Sequence, residues 1–388
     1  MFAAFLKLGL TSFGGPIAHI GYFREAFVVR RRWLSEAAFA DLVALCQFLP
    51  GPASSQVGFG LGLMRAGPLG ALAAWIGFTL PSAVLMTAFA FGAAALSGPL
   101  GRGLIHGLKL VAVAVVAQAV AGMARTLTPD ARRAGIAVAA AVLVGLAPAS
   151  VGQIAAIALG AAAGLALCRG QAAPASAGPG FGLPRRAGLV ALAAYLGILI
   201  AGPVLAATTG SPGLARFDAF YRSGALVFGG GHVVLPLLKQ AVVDPGWVGR
   251  DAFLAGYGAA QAVPGPLFTF AAYLGAVMRQ PPNGLAGAAL GLVALFLPGL
   301  LALLAALPFW SRLRARSDAQ GAMRGANAAV VGLLAFALYD PLWTSTVLDR
   351  ADFVQALAGF VLLTAFRSPP LAVVLLGAGA GVARAVLA

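Results

Sequence analysis

An all-α, polytopic membrane protein built from two homologous halves is the fold class this sequence predicts, and three observations predict it. The chain is 61% hydrophobic and only 10% charged over 388 residues, with a mean hydropathy of +0.93. A soluble domain carries about 25% charged residues, so too little polar surface exists to cover a water-facing globule. Apolar runs such as 104–124 and 189–207 are long enough to span the bilayer. Runs so long and continuous argue for helices rather than barrel strands, because lipid leaves the backbone to satisfy itself.

The third observation is an internal repeat. FLKLGLTSFGG from Phe5 matches FYRSGALVFGG from Phe220, QFLPGP at 47–52 matches QAVPGP at 261–266, and FTLP ending at Pro81 matches LFLP ending at Pro298. The offset stays between 214 and 217. The expected organisation is an N-terminal repeat at 1–168, a linker with an extra connecting transmembrane helix at 169–215, and a C-terminal repeat at 216–388. Each repeat holds about six apolar segments. In the first they fall at 2–27, 37–64, 68–97, 103–125, 132–147 and 149–168. Residues 170–188, rich in Ala, Pro and Gly, read as a flexible linker, and 189–208 as the unmatched helix. The second half follows with 216–240, 250–278, 284–308, 319–340, 352–366 and 369–387.

Charge orients these segments. Arginines cluster between apolar runs, at Arg30, Arg31 and Arg32 and at Arg125, Arg132 and Arg133, as in loops retained on the side of insertion. The formal charge of +15 therefore reads as topology, and nucleic acid is not an expected partner. Equivalent loops in the two halves carry opposite bias: Asp244, Arg250 and Asp251 answer Arg30–Arg32, and Arg312, Arg314 and Arg316 answer the lone Arg102. Halves inserted upside down to each other would show this, so inverted repeats are expected, with drift of surface charge as the alternative. Keeping Arg30–Arg32 and Arg125–Arg133 on one face requires a segment that fails to cross once. The segment at 37–64, broken by PGP, is the candidate for a re-entrant element.

The breaks also concentrate the polar chemistry. Gly14, Gly15 and Pro16, and in the second half Gly229 and Gly230, let the chain leave its helix; a helix restarted there aims free N–H groups at the break. Close helix packing is the other use of such glycines. Pro50, Gly51 and Pro52, with Pro264, Gly265 and Pro266, make a second break in each half. Gln47 and Gln261 add amides before it, and Ser54, Ser55 and Thr269 add hydroxyls after it. These neutral donors suit an oxyanion, and a plain structural kink is the competing account. His19 and His232 follow the glycine clusters, as proton carriers or as hydrogen-bonded packing residues. Lys7, Arg222 and Lys109 are cations inside apolar segments, suited to an anionic substrate, although Lys7 or Lys239 also suits a side chain snorkelling to the interface.

No Walker loop, no HExxH and no intramembrane aspartate pair is visible, so neither an ATPase nor a membrane protease is expected. Cys46 and Cys168 have no paired spacing; no disulfide, metal or cofactor is expected. Nor is a removed signal peptide or an N-terminal anchor.

The stretches FLKLGLTSFGGPIAHIGYF, QFLPGP, FGGGHVVLPLL and QAVPGP resemble the chromate ion transporters, in their long two-domain form, over essentially the whole chain. The resemblance implies a secondary transporter, not an enzyme, that exports chromate across the cytoplasmic membrane. It carries the family's recurrent positions onto Gly14, Gly15, Pro16, His19, Gln47, Pro50, Gly51, Pro52, Gly229, Gly230, Gln261, Pro264, Gly265 and Pro266. Sulfate transport and an anion channel stay open as alternatives. The expected partners are the substrate oxyanion and the bilayer, with a homodimer left open. The repeat makes Gln47 and Gln261 equivalent, so each is expected to be needed for transport.

Overall fold

The computed structural model describes all residues except 95–97, 148, 169–182, 229–230, 315 and 388. Among the described residues the apolar segments are helical apart from interruptions near Ser12–Gly14, Leu49–Pro52, Leu226–Phe228 and Gln261–Pro266. The first half gives α1 (Phe2–Thr11), α2 (Gly15–Phe23), α3 (Glu36–Phe48), α4 (Ala53–Ala94), α5 (Pro99–Leu127), α6 (Ala131–Leu146) and α7 (Ala149–Leu167). The connecting helix is α8 (Arg185–Thr209). The second half gives α9 (Pro212–Ala225), α10 (Val234–Leu238), α11 (Arg250–Ala260), α12 (Phe270–Ala276) and α13 (Gly284–Ala306). It ends with α14 (Trp310–Arg314), α15 (Ser317–Ala337), α16 (Thr344–Thr346), α17 (Arg350–Thr364) and α18 (Pro370–Leu387). Among the described residues six helices are long and apolar enough to cross a membrane, and shorter apolar helices such as Phe2–Thr11 and Leu267–Ala276 accompany them. The protein is a polytopic helical membrane protein.

Several boundaries differ from the sequence reading: 2–27, 216–240 and 250–278 each divide into two helices, and α4 runs across the expected boundary between 37–64 and 68–97. The expected linker at 170–188 lies mostly outside the described residues, and α8 begins at Arg185, directly after Pro184 in an extended N-cap conformation. The stretch 98–102 is already helical, because Pro99 occupies the first turn of α5.

The 42 residues of α4 would span about 63 Å as one rod, twice the hydrocarbon thickness. Ala66 (φ −145°, ψ 24°) and Gly67 (φ 65°, ψ −160°), ahead of Pro68, instead fold it into two arms. Gly62 and Gly70 let the arms touch: a Cβ on Gly70 would lie 2.5 Å from the Gly62 carbonyl oxygen.

The halves interleave. Helix α5 of the first half packs on α17 and α18 of the second, and α15 of the second packs on α6 and α7 of the first. Glycine pairs four residues apart make both crossings possible. Gly103 and Gly107 of α5 meet Gly377 and Gly381 of α18, while Gly321 and Gly325 of α15 meet Gly160 and Gly164 of α7. A Cβ at Gly107 would collide with the Gly377 carbonyl, and one at Gly325 with the Gly160 carbonyl. In lipid no hydrophobic effect drives helices together, so such close backbone approach supplies the dispersion contacts instead.

Aromatic packing fills the remaining core. Phe27 stacks on Phe5 at 4.7 Å and on Trp33 at 4.5 Å, and Phe23 meets Phe78 edge-on at 4.9 Å. Leu300, Leu303 and Trp310 of the second half close this cluster. Leu189, Val190, Ile200 and Val204 leave α8 with an exposed apolar surface that suits lipid.

The glycine crossings give the first test. Gly107→Val should destabilise the protein by about 1–3 kcal/mol through overpacking, read as a lower thermal midpoint in detergent. Gly197→Ala, whose Cβ would meet nothing within 4 Å, should stay within about 0.5 kcal/mol of the parent.

Candidate functional site

The first helix of the first half is interrupted after Thr11, and that of the second half after Ala225. Helix α1 closes at Ser12, whose N–H donates to the Leu8 carbonyl at 2.8 Å. Gly14 (φ 98°) and Gly15 (φ 78°) then take left-handed conformations that a side chain would strain. Helix α2 restarts with Pro16 in its first turn and no side-chain cap, so its first N–H groups face the interruption. In the second half α9 ends at Ala225 and the chain resumes in a 3₁₀ turn at Gly231–Val233. Gly229 and Gly230 lie outside the described residues.

Each half breaks again at PGP, between α3 and α4 and between α11 and α12. Gly51 (φ 117°) and Gly265 (φ 98°) are left-handed. Flanking prolines carry no N–H, so each glycine holds the one donor in its loop. That donor crosses to the other half: Gly51 N–H donates to the Val227 carbonyl at 2.7 Å, and Gly265 N–H donates to the Ser12 carbonyl at 2.8 Å. Ser12 and Val227 are equivalent positions of the repeat, as are Gly51 and Gly265. The PGP break of one half therefore satisfies the glycine break of the other, and the exchange is reciprocal.

The loops also seat on equivalent prolines. A Cβ on Gly51 would lie 2.7 Å from Gly299 Cα, beside Pro298 of α13, and one on Gly265 would lie 2.9 Å from Ser82 Oγ, beside Pro81 of α4. Gln56 ties the first of these contacts. Its buried Nε2 donates to the Pro50 carbonyl at 2.9 Å and to the Gly299 carbonyl at 2.8 Å. Sequence reading passed over Gln56; the signal was an amide in an apolar run four residues beyond PGP.

A cavity of about 290 Å³ opens beside these breaks. Gly14, Gly15 and Pro16 of the first half line it together with His232, Gln261 and Gly265 of the second. Gln118 of α5 and Arg367 and Ser368 of the α17–α18 turn complete its polar wall. His232 Nδ1 lies 2.7 Å from Tyr257 Oη, leaving the other ring nitrogen free of that contact. Arg367 holds a left-handed φ of 51°, a conformation that costs a branched or long residue about 1–3 kcal/mol and clusters at functional positions. It is the one charged side chain among the described cavity residues, and no hydrogen bond or ion pair engages it there. The sequence signal for Arg367 was an arginine in the two-residue gap between the apolar runs 352–366 and 369–387.

Other sequence candidates stand elsewhere. Gln47 is exposed and does not line the cavity, whereas Gln261 does, so the structure gives the two glutamines unequal places. His19 is buried, its Nδ1 3.3 Å from Ser54 Oγ and its ring edge-on to Phe78 at 5.2 Å. Pro50, Pro52, Pro264 and Pro266 shape the loops; Thr269 Oγ1 donates to the Pro266 carbonyl at 2.9 Å and so turns back on its own loop. Lys7 is exposed on α1. Arg222 pairs with Asp218 at 3.6 Å and Lys109 with Asp251 at 2.8 Å, both away from the cavity. Arg24 pairs with Glu36 at 2.6 Å and Arg30 with Glu25 at 2.7 Å.

The sequence pattern described as "Chromate transporter" matches residues 1–165 and again 214–382. The chain belongs to the chromate transporter family. It is a transporter-family protein and not an enzyme. The Chromate transport protein of Pseudomonas aeruginosa is 31% identical over 347 residues, 86% of this chain and 78% of that protein. The Probable chromate transport protein of Synechococcus elongatus is 28% identical over 338 residues, covering 86% and 82%. The Chromate transport protein of Cupriavidus metallidurans is 25% identical over 366 residues, covering 94% and 87%. No solved structure matches the chain.

Gln56→Leu would strand the Pro50 and Gly299 carbonyls in a buried setting, at about 1–3 kcal/mol. Thermal unfolding in detergent should record that loss even without substrate.

Proposed function

We propose that this protein exports chromate from the cytoplasm across the inner membrane as a secondary transporter, with the cavity at the crossed breaks as its substrate site. The observation that carries the proposal is the meeting of both repeats' interruptions beside a cavity whose single charge among the described residues is Arg367. Three chromate transport relatives aligned over most of their length support the substrate.

The chemistry of the wall suits a tetrahedral dianion. Its oxygens accept hydrogen bonds; amides of Gln118 and Gln261, the Ser368 hydroxyl and the N-terminal N–H groups of α2 can donate them. One guanidinium against two negative charges attracts the ion without fully neutralising it, and a transporter must release what it binds. Leaving a negative interior is electrically downhill for a dianion, by about 2.3 kcal/mol per charge per 100 mV. The potential alone can drive export.

Opposite loop charges and the exchanged hydrogen bonds favour inverted repeats, 1–168 and 216–388, that rock against each other to give alternating access. The site is then fixed at their seam, on the side where Gln261 and Arg367 stand.

Flux of labelled chromate into inverted vesicles tests the reading. Arg367→Gln should raise the KM for chromate at least about tenfold, the loss of one charge-assisted hydrogen bond. Gln261→Ala should raise it about three- to tenfold, and Gln47→Ala should stay within about twofold, well under one hydrogen bond's worth. Normal flux in Arg367→Gln would place the site elsewhere, and excess sulfate that abolishes chromate uptake would broaden the substrate to both oxyanions.

A further inference from the structure

A second cavity, of about 460 Å³, opens where the N-terminus of α6 meets the C-terminus of α7 and the start of α15. Arg132, Arg133 and Arg324 line it with a single carboxylate, Asp130. Asp130 is the N-cap of α6: it accepts from the Arg133 backbone N–H at 3.0 Å and from Arg133 Nε at 2.7 Å. These bonds hold its carboxyl below the usual carboxylate range. The other two guanidiniums find only neutral acceptors among the described residues. Arg132 donates to the Leu167 carbonyl at 3.2 Å; Arg324 donates to the Cys168 carbonyl and to Gln320 Oε1, each at 3.1 Å.

The second half shows what this arrangement lacks. Helix α17 is capped by Asp349 as α6 is by Asp130, and His106 lies between the paired glycines of α5 as Arg324 lies between those of α15. There the third residue after the cap is an acid. Asp352 is buried and accepts from Arg384 Nη1 at 2.5 Å, from the Leu348 N–H at 3.0 Å, and lies 2.7 Å from His106 Nε2. At the same place the first half carries Arg133. One copy is thus closed by its own carboxylate, and the other is left open and positive.

An apolar groove of about 170 Å³ lies between the same two helices, its lining beginning at Ile136 and Ala163, about one turn along α6 and α7 from Arg133 and Leu167. Ile136, Ala140 and Leu143 of α6 and Leu159, Gly160 and Ala163 of α7 line it, with Leu159 exposed. A cationic head pocket over an apolar groove, on a helix whose Val138 and Val142 are exposed, matches the head and chain of a phospholipid. We infer that an anionic phospholipid occupies it, with its phosphate on Arg132, Arg133 and Arg324 in place of the missing carboxylate and an acyl chain in the α6–α7 groove. The arginine-rich loop at 125–133 bears the sign of the cytoplasmic side, where anionic lipids are concentrated.

The full chain, purified in a neutral detergent, is titrated with phosphatidylglycerol and followed by native mass spectrometry. Saturable retention of phosphatidylglycerol over phosphatidylcholine is expected. Arg132→Gln and Arg324→Gln should each weaken it about fivefold, and Arg132→Lys should restore most of the loss. Arg133→Asp, which places an acid where Asp352 stands in the other half, should abolish retention. Ala140→Phe should also weaken it by filling the groove with all three arginines intact. Inorganic phosphate at the same concentration should not compete. Two results would overturn the proposal: retention unchanged in the arginine variants with parental thermal midpoints, or full competition by inorganic phosphate with Ala140→Phe silent, which would make the cavity a site for free oxyanions.

Discussion

Everything in this structure depends on how two helix interruptions satisfy their backbone groups inside an apolar protein. An N–H or C=O left unpaired at membrane depth costs several kcal/mol, and no bulk water is there to help. The chain solves this by exchange. Gly51 N–H reaches the Val227 carbonyl, and Gly265 N–H reaches the Ser12 carbonyl. Two prolines around each glycine strip the loop of competing donors, and the left-handed glycine turns its remaining N–H across to the other half. The PGP motif is thus a device for making one directed bond.

Exchange at the breaks is continued by exchange of helices. Helix α5 lies on α17 and α18, and α15 lies on α6 and α7, so neither half is completed by its own sequence alone. Paired glycines at both crossings let backbones touch where side chains would hold them apart. The same glycine spacing serves both crossings, so one duplicated pattern builds both seams.

Within this near-symmetry the polar features are one-sided. Gln118 lines the cavity at the breaks, while Phe336, its counterpart on α15, packs against Gly145 and fills the equivalent place with an apolar ring. Arg367 has no cationic counterpart there. At the outer ends of the same helices the asymmetry runs the other way: the second half closes with Asp352 between His106 and Arg384, and the first presents three guanidiniums around open space. A duplicated scaffold can keep its backbone bonds paired while its side chains specialise, because packing fixes the former and tolerates exchange in the latter.

The sequence by itself determined the membrane class, the repeat, the breaks at Gly14, Gly51 and Gly265 and the longer helices, because each rests on local chemistry: apolar run length, glycine freedom, and the donor that proline lacks. Gly14, Gly51 and Gly265 were legible for that reason. The partners of those breaks were not, since a hydrogen bond from Gly265 to Ser12 spans most of the chain and leaves no periodic trace. Arg367 and Gln56 escaped notice because one sits in an apparent loop and the other in an ordinary apolar helix; only tertiary packing brings the first to the cavity and the second between Pro50 and Gly299. Gln47 and Gln261 read as equals in the repeat, and the fold alone set one on the cavity and the other outside it.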